Sequence, residues 1–227
     1  MTVLNAQDVQ GPAQVSRRGI LAKGAIAGFA SAVGLATLQG RPMLAAEPME
    51  SRGSKKQAAA NDIKILNNAL YYEHQAVWAY GAAAAQLSSA PVGKAVLALG
   101  LANQADHKVH RDTLASVIKS LGGTPVGPED SYDLSAYLER GDGALDSDAN
   151  IAKLALALEV DAAIAYGQEA SRLKTPALIT AGASIAAAEA SHATAIRAAF
   201  ISLGLDIPNV PAPFVNADTR GQWVISV

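Results

Sequence analysis

The sequence predicts an all-α fold, a four-helix bundle of two helix pairs joined by a long crossover and followed by an extended C-terminal tail. Alanine is abundant and only 5% of the residues are aromatic, which favours closely packed helices over a sheet. Apolar residues recur at helical spacing in four segments. In addition, a glutamate followed seven positions later by a tyrosine occurs twice, at Glu73–Tyr80 and at Glu159–Tyr166.

A second pair of matching motifs follows the first. His107-Lys-Val-His110 in the first half corresponds to Glu189-Ala-Ser-His192 in the second, and Ser-Leu-Gly follows each at equal distance. The glutamates are 86 residues apart (159 − 73) and the later histidines 82 (192 − 110), so the second half is shorter by four residues, about one helical turn. The chain is therefore predicted to be a duplicated helix pair with an acid or an imidazole at the same place in all four helices.

Length and composition exclude several classes of protein. The chain has 227 residues, half of them apolar, which is enough to bury one sizeable core. It has no cysteine, so disulfides, thiolate metal sites and cysteine nucleophiles are excluded. Its net charge of −2 is too balanced to indicate a nucleic-acid partner. Neither a glycine-rich phosphate loop nor a nucleophile elbow occurs in it.

Residues 1–46 are predicted to be a twin-arginine (Tat) signal peptide. Arg17 and Arg18 precede a mildly apolar run rich in glycine and alanine, Gly24–Leu38, as in signals read by the Tat export machinery. We therefore expect cleavage of the signal and a periplasmic or extracellular mature protein that is not attached to a membrane. The alternative is a retained membrane anchor, which the glycines and Lys23 disfavour.

The bundle itself is predicted to occupy residues 61–205. Residues 47–60 are expected to be a flexible lead-in, and Asn61 or Asp62 is expected to cap the first helix. The four helices are expected at about 61–86, 92–121, 147–173 and from Pro176 to the end of the bundle.

Two segments outside the helices complete the prediction. The crossover, 123–147, contains prolines and glycines that leave room only for a short helix near Leu134–Leu138, and its length is typical of a bundle in which the second and third helices are far apart. In the tail, 206–227, the prolines forbid helix in its first part. We expect the tail to lie extended along the bundle, with Phe214 and Trp223 as docking points.

Charged and ionisable residues interrupt the apolar stripes of the four helices. A carboxylate in such a position is costly unless it is paired or bound to a cation. Carboxylate oxygens mixed with imidazole nitrogens suit iron, manganese or zinc. The residues expected to converge on a metal are Glu73, His107, His110, Glu159, Glu189 and His192.

Simpler interpretations exist for each of these residues taken alone. A single buried glutamate can bond a tyrosine or a helix end, and a His-x-x-His pair can be a satisfied core pair. The repetition at matched positions favours metal binding for the set. Nearby, Gln104 is expected to support His107, whereas His74 is expected to face outward, and Asp106 and Asp112 are expected to be solvated charges.

The order Glu73 … His107-x-x-His110 … Glu159 … Glu189-x-x-His192, with Tyr80 and Tyr166 beyond the first and third acids, resembles the ferritin-like superfamily over roughly residues 61–205. The segments around Glu73 and His107 look closest to uncharacterised exported bacterial ferritin-like proteins. In the di-iron members of that superfamily, each half has a glutamate and then Glu-x-x-His. The resemblance implies that these acids and histidines are metal ligands and that the two tyrosines orient the carboxylates by hydrogen bonds.

Position 107 departs from the superfamily pattern, because it is histidine where the di-iron pattern has glutamate. A carboxylate can bridge two metals, whereas a neutral imidazole offers one lone pair. The resemblance therefore implies iron or manganese in a mononuclear or asymmetric dinuclear centre, with zinc as a further option.

The function expected from the resemblance is that of an exported ferritin-like metal-binding protein. Its iron or manganese centre would react with oxygen or peroxide, as in a non-haem metal oxidoreductase. The alternative is a metal-free bundle with a structural or envelope-stress role. A homodimer is an open option, and the sequence fixes neither the metal nor a substrate.

Overall fold

The computed structural model of the chain describes residues 49–227, with side chains from Gly53 onward. No strand occurs in these residues. The first two long helices pack mainly on each other, as do the last two, and a long connection links the pairs. The predicted all-α fold is therefore confirmed. The helices are α1 Met49–Ala84, α2 Pro91–Ser120, α3 Ser135–Glu139, α4 Asp148–Ala170, α5 Pro176–Ser202 and α6 Arg220–Trp223.

The predicted signal peptide, 1–46, with Arg17 and Arg18, lies outside the described residues. From residue 49 to the C-terminal end, no helix combines the length and the apolar character needed to cross a bilayer.

The first helix begins earlier than the sequence predicted. Residues 49–60 belong to α1, so the flexible lead-in predicted for 47–60 is corrected from Met49 onward. Lysine, glutamine and three alanines at 55–60 are strong helix formers, and no proline interrupts them. Because the helix continues through Asn61 and Asp62, neither residue is its N-cap.

Asp62 instead contacts the backbone just before a different helix, α5. Its carboxylate is fully buried and accepts hydrogen bonds from the backbone N–H of Lys174 (2.7 Å) and from the N–H and hydroxyl of Thr175 (3.0 and 2.7 Å). Thr175 is the N-cap residue of α5 and makes no side-chain cap of its own. The N–H groups of the two residues that lead into α5 are thus satisfied by an acid from α1, which ties the first helix to the last long one.

The remaining helix ends follow the sequence signals. Beyond the end of α2 at Ser120, Gly122 has a left-handed φ of +83°, and the N–H of Gly123 donates to the carbonyl of Ile118 at 2.9 Å, which is the usual glycine stop. Ser147 caps α4 by accepting a hydrogen bond from the N–H of Asn150. The crossover carries one short helix, as predicted.

Two apolar clusters fill the bundle on either side of its middle. On α5, Leu178 to Ile185 belong to the first cluster and Ala193 to Phe200 to the second. A polar layer at Glu189 and His192 lies between them. The first cluster contains Ile65, Leu66, Leu70, Leu114, Val117, Ile118, Leu173, Leu178, Ala181 and Ile185, and the second contains Ala152, Leu156, Val160, Ile164, Ala193, Ile196, Phe200, Ala212 and Trp223.

The C-terminal tail packs on the bundle through one of its two predicted docking points. Trp223 is buried, but Phe214 is 67% exposed, so the prediction for Phe214 is wrong. The indole N–H of Trp223 donates to the backbone carbonyl of Phe214 at 2.8 Å, so the backbone rather than the ring of Phe214 makes the contact. Buried Arg197 donates to the carbonyls of Pro208 and Trp223 and holds the tail on α5. The tail is also not wholly extended, because it contains α6.

We expect Asp62→Ala to lower the free energy of unfolding by about 1–3 kcal/mol, because the donors at the start of α5 lose a buried acceptor. Urea denaturation measures this loss. Asp112→Ala is the matched control, because the Asp112 side chain is 69% exposed and its loss should change stability by less than about 0.5 kcal/mol. Equal stability of the two variants would contradict this role of Asp62.

Candidate metal centre

The six predicted ligand residues lie together in the polar layer between the two apolar clusters. α1 supplies one glutamate, α2 two histidines, α4 one glutamate, and α5 a glutamate and a histidine. All six are buried: Glu73 is 2% exposed, His107 3%, His110 6%, Glu159 1%, Glu189 0% and His192 8%.

The local sequence explains why these side chains point inward. Leu70 and Leu114 are both buried, at the positions next to Glu73 and His110 on the core stripes of α1 and α2. A helix that buries those leucines also buries the polar residue one turn along. The i, i+3 spacing of each Xaa-x-x-His pair then keeps both of its members on one face.

One group of potential ligands combines residues from α1, α2 and α5. His107 Nδ1 lies 2.9 Å from Glu73 Oε2, and His110 Nδ1 lies 3.0 Å from Glu189 Oε1 and 3.6 Å from Glu73 Oε1. One ligand atom from each of these four residues lies within 4.8 Å of every other. This spacing is compact enough for one metal ion to contact all four residues.

A second group combines residues from α2, α4 and α5. His192 Nδ1 lies 3.1 Å from Glu159 Oε2 and 3.0 Å from Glu189 Oε2, and His107 Nε2 lies 3.3 Å from Glu159 Oε1. One atom from each of these four residues also falls within 4.8 Å of the others.

Glu189 and His107 belong to both groups. The two carboxylate oxygens of Glu189 face different histidines, Oε1 towards His110 and Oε2 towards His192. The two ring nitrogens of His107 likewise face different glutamates, Nδ1 towards Glu73 and Nε2 towards Glu159. The layer therefore offers two adjacent positions with two shared residues, which fits a single ion or an asymmetric pair.

Two buried atoms of the layer have no hydrogen-bond partner. His110 Nδ1 and Glu189 Oε1 lie 3.0 Å apart, close enough for an ion pair, but their orientation is not that of a hydrogen bond. In residues 53–227, no other buried side-chain nitrogen or oxygen is left without a partner. A cation bound by both atoms would give each of them a well-directed partner, so the donor set fits a metal.

The two tyrosines of the repeated motif each donate a hydrogen bond to the glutamate of the other half. The hydroxyl of Tyr80 on α1 donates to Glu159 Oε1 on α4, and that of Tyr166 on α4 donates to Glu73 Oε1 on α1. Asn103 adds a donor, with its amide nitrogen 3.1 Å from the Tyr80 oxygen and 3.3 Å from Glu159 Oε1. These bonds fix the orientation of both carboxylates.

Two residues of α2 have roles that differ from those predicted. Gln104 does not support His107, because its amide donates to the carbonyl of Val77 at 2.9 Å and its oxygen accepts from Lys108. Asp106 is not simply a solvated charge, because its Oδ2 lies 3.2 Å from His192 Nε2. Lys108 lies four residues after Gln104, on the same side of the helix, so the sequence could have predicted this outward contact of Gln104.

The other two neighbouring residues lie away from the layer, as predicted. His74 is half-buried, and its Nε2 lies 3.2 Å from the carbonyl of Val126 in the crossover. Asp112 is exposed and pairs with Arg111.

Two carboxyl groups of the layer, those of Glu73 and Glu159, are held ionised. Burial alone opposes ionisation of Glu73, but the hydrogen bond from His107 and the positive charges of His107 and His110 outweigh it and lower its pKa to about 2. Burial also opposes ionisation of Glu159, and the charges of His107 and His192 bring its pKa well below the ordinary value.

The histidines and tyrosines of the layer are held protonated when no metal is present. Burial lowers the pKa of His110, but the adjacent carboxylates of Glu189 and Glu73, 3.0 and 3.6 Å from its Nδ1, outweigh it and raise the pKa to about 9. Burial also lowers the pKa of His192, but the charge of Glu159 outweighs it and raises the pKa to about 12. Burial and the adjacent carboxylates raise the pKa of the Tyr80 and Tyr166 hydroxyls well above the ordinary value, so both hydroxyls remain donors.

The fold and the buried layer define a helical-bundle protein with a centre of carboxylates and imidazoles. A family model described as the ferritin-like domain matches residues 61–202, and the chain belongs to this family. The predicted membership of the ferritin-like superfamily is thereby confirmed.

A solved structure has the same fold. The crystal structure of a conserved hypothetical protein from Mycobacterium tuberculosis is 25% identical in sequence, with a TM-score of 0.52, and the match covers 71% of this chain and 98% of that one. No curated protein matches the chain.

We expect the metal-free protein to be most stable between about pH 4.5 and 6.5. The folded-state pKa of Glu73 lies below its ordinary 4.5, at about 2, so its contribution is complete above pH 4.5 and is lost as the pH falls towards 2. The folded-state pKa of His110 lies above its ordinary 6.5, at about 9, so its contribution is complete below pH 6.5 and is lost as the pH rises through 9.

Urea denaturation in a chelator, repeated across the pH range, measures this dependence. His74→Gln is the control for titration of a histidine outside the layer and should leave the shape of the profile unchanged. Stability that stays constant from pH 6.5 to 9 would contradict the ion pairing of the histidines.

Proposed function

We propose that this ferritin-like protein holds iron or manganese in the polar layer, with Glu73, Glu159, Glu189 and the three histidines as ligands. The observation that carries the proposal is the facing pair of buried atoms without hydrogen-bond partners, His110 Nδ1 and Glu189 Oε1. Three carboxylates and three imidazoles without thiolates form a donor set that suits iron and manganese, and also zinc.

Charge balance supports the same proposal. The three glutamates carry three negative charges when they are ionised, and protonated histidines offset these charges when no metal is present. A histidine must be neutral to bind a metal ion. A divalent cation would therefore replace protons as the positive partner, so metal affinity should rise with pH over the range where the metal-free protein becomes less stable.

The reaction that this site supports best is oxidation of the bound metal by oxygen or peroxide, which would make the protein a non-haem metal oxidoreductase. Bound iron or manganese would supply the one-electron redox chemistry. The chain would supply the positioning: Tyr80 and Tyr166 hold the carboxylates of Glu159 and Glu73, and Asp106 holds His192 from outside the layer. The apolar clusters on both sides exclude bulk water.

A metal-free bundle with a structural or envelope-stress role is the second candidate. It is favoured by the close pairing of Glu73 with His107 (2.9 Å) and of Glu189 with His192 (3.0 Å). Such contacts can form a network of ion pairs that needs no cation.

Glu189→Gln distinguishes the two candidates. Glu189 serves both groups of ligands, so the metal-binding proposal predicts that the variant binds no metal. A metal at 100 times its dissociation constant should stabilise the natural protein by about 2.7 kcal/mol and leave the variant unchanged. Glu139→Gln is the matched control, because Glu139 is an exposed glutamate of α3 and its loss should leave the metal effect intact.

Thermal unfolding with and without iron(II), manganese(II) or zinc(II) measures the effect. If no metal stabilises the natural protein, the metal-free candidate is favoured. If only zinc does so, the site binds metal but the redox role is wrong.

We propose further that residues 1–46 direct the folded protein through the Tat machinery to the periplasm or beyond. The support is the Arg17-Arg18 pair ahead of a weakly apolar run. Fusion of 1–46 to a reporter that is active only after export should give exported reporter, and Arg17→Lys with Arg18→Lys should abolish it. Export that survives the double substitution would contradict a twin-arginine signal.

A further inference from the structure

A cavity of about 400 Å³ lies between α1 and α4 and extends to the polar layer. The crossover closes one side of it with Leu134, Tyr137 and Leu145. Its volume falls within the range of about 300–1,000 Å³ that is usual for small-molecule sites. This is far more space than water or dioxygen alone would need.

The cavity exists because short side chains face each other across the gap between the two helices. Ala76 and Ala79 of α1 and Ala155 and Ala162 of α4 are among its lining residues. An alanine methyl is too short to fill such a gap, and an apolar space without contacts forfeits dispersion energy. An apolar molecule of suitable size would restore those contacts.

The inner end of the cavity is polar and is formed by the candidate metal centre. Glu73, His107 and Glu159 line it, together with Tyr80 and Tyr166. Both carboxylates are almost fully buried, at 2% and 1% exposure. A molecule in the cavity would therefore have apolar walls along most of its length and carboxylate oxygens at one end.

The charges around the cavity indicate a neutral ligand. Besides Glu73 and Glu159, two more carboxylates line the cavity, and both have partners. Asp161 pairs with Arg220 at 2.6 Å, and Glu169 pairs with Arg172 at 2.6 Å. Within the described part of the chain, no lysine or arginine lines the cavity. An anionic ligand would meet no lysine or arginine on the walls and would meet carboxylates at the inner end, where the imidazole of His107 already lies between Glu73 and Glu159. A neutral polar group can donate a hydrogen bond there.

We propose that this cavity binds a neutral, largely apolar organic molecule whose polar end faces Glu73 and Glu159. A role of this molecule as a substrate rests on the proposed function, under which it would be the organic compound that reaches the metal. Binding itself depends on the walls of the cavity and not on the metal, so it can be tested separately.

Titration with N-phenyl-1-naphthylamine, a neutral fluorescent probe, tests the proposal on the full mature chain with and without bound manganese(II). We expect saturable binding of one probe per chain in both states. In the metal-free protein, dodecanol should displace the probe, whereas dodecanoate of the same chain length should displace it poorly.

Two substitutions that fill the cavity, Ala162→Leu and Ala76→Leu, should each weaken probe binding roughly tenfold or more. Ala187→Leu is the matched control, because Ala187 is an exposed helical alanine of α5 outside the cavity. Circular dichroism of each variant verifies that it is folded, and the second filling variant replaces the first if the first does not fold.

Unaltered binding in a folded filling variant, or equal displacement by dodecanoate, would overturn the proposal. So would a dimer, found by sedimentation, that excludes the probe and dissociates in Ala162→Leu, because a second copy of the chain would then occupy the cavity. Probe binding without any metal binding would leave this site standing and refute the metal proposal instead.

Discussion

The pairing of three buried carboxylates with three buried imidazoles is the interaction on which the rest of this bundle depends. Removing one partner from such a buried pair typically costs about 3–5 kcal/mol, because the remaining charge has no compensation. The apolar clusters on either side of the layer exclude the solvent that would otherwise screen these charges. The helices must therefore bring all six side chains to one level, and the register of the bundle is set by this requirement as much as by the apolar packing.

Contacts between the two halves maintain that register. Tyr80 and Tyr166 each bond the glutamate of the opposite half, so neither helix pair can complete its own site alone. Asp62 of α1 adds a second link by accepting hydrogen bonds from the two residues that lead into α5. The duplicated sequence thus forms one interdependent structure and not two separate units. Between α1 and α4, the alanine-lined cavity extends inward to Glu73 and Glu159 of the layer.

The sequence was sufficient to predict the fold and to bring these six residues to one place, because repetition at matched helical positions leaves only one inward face for each of them. It did not predict the partners between helices. Gln104 and Asp106 both neighbour His107, and only the position of α5 decides that Asp106 rather than Gln104 contacts the layer, at His192. Likewise, Asp62 has the features of a local N-cap, and only the tertiary structure places it at the start of another helix.

Anomalous diffraction is the most direct test of the central claim that the polar layer binds a metal. Crystals should be grown from protein produced with its own export signal, and data should be collected on both sides of the iron, manganese and zinc absorption edges. Metal binding predicts an anomalous peak within about 2.0–2.3 Å of ligand atoms from Glu189 and at least one of the three histidines. The absence of any peak, with the glutamates and histidines paired to one another, would contradict it.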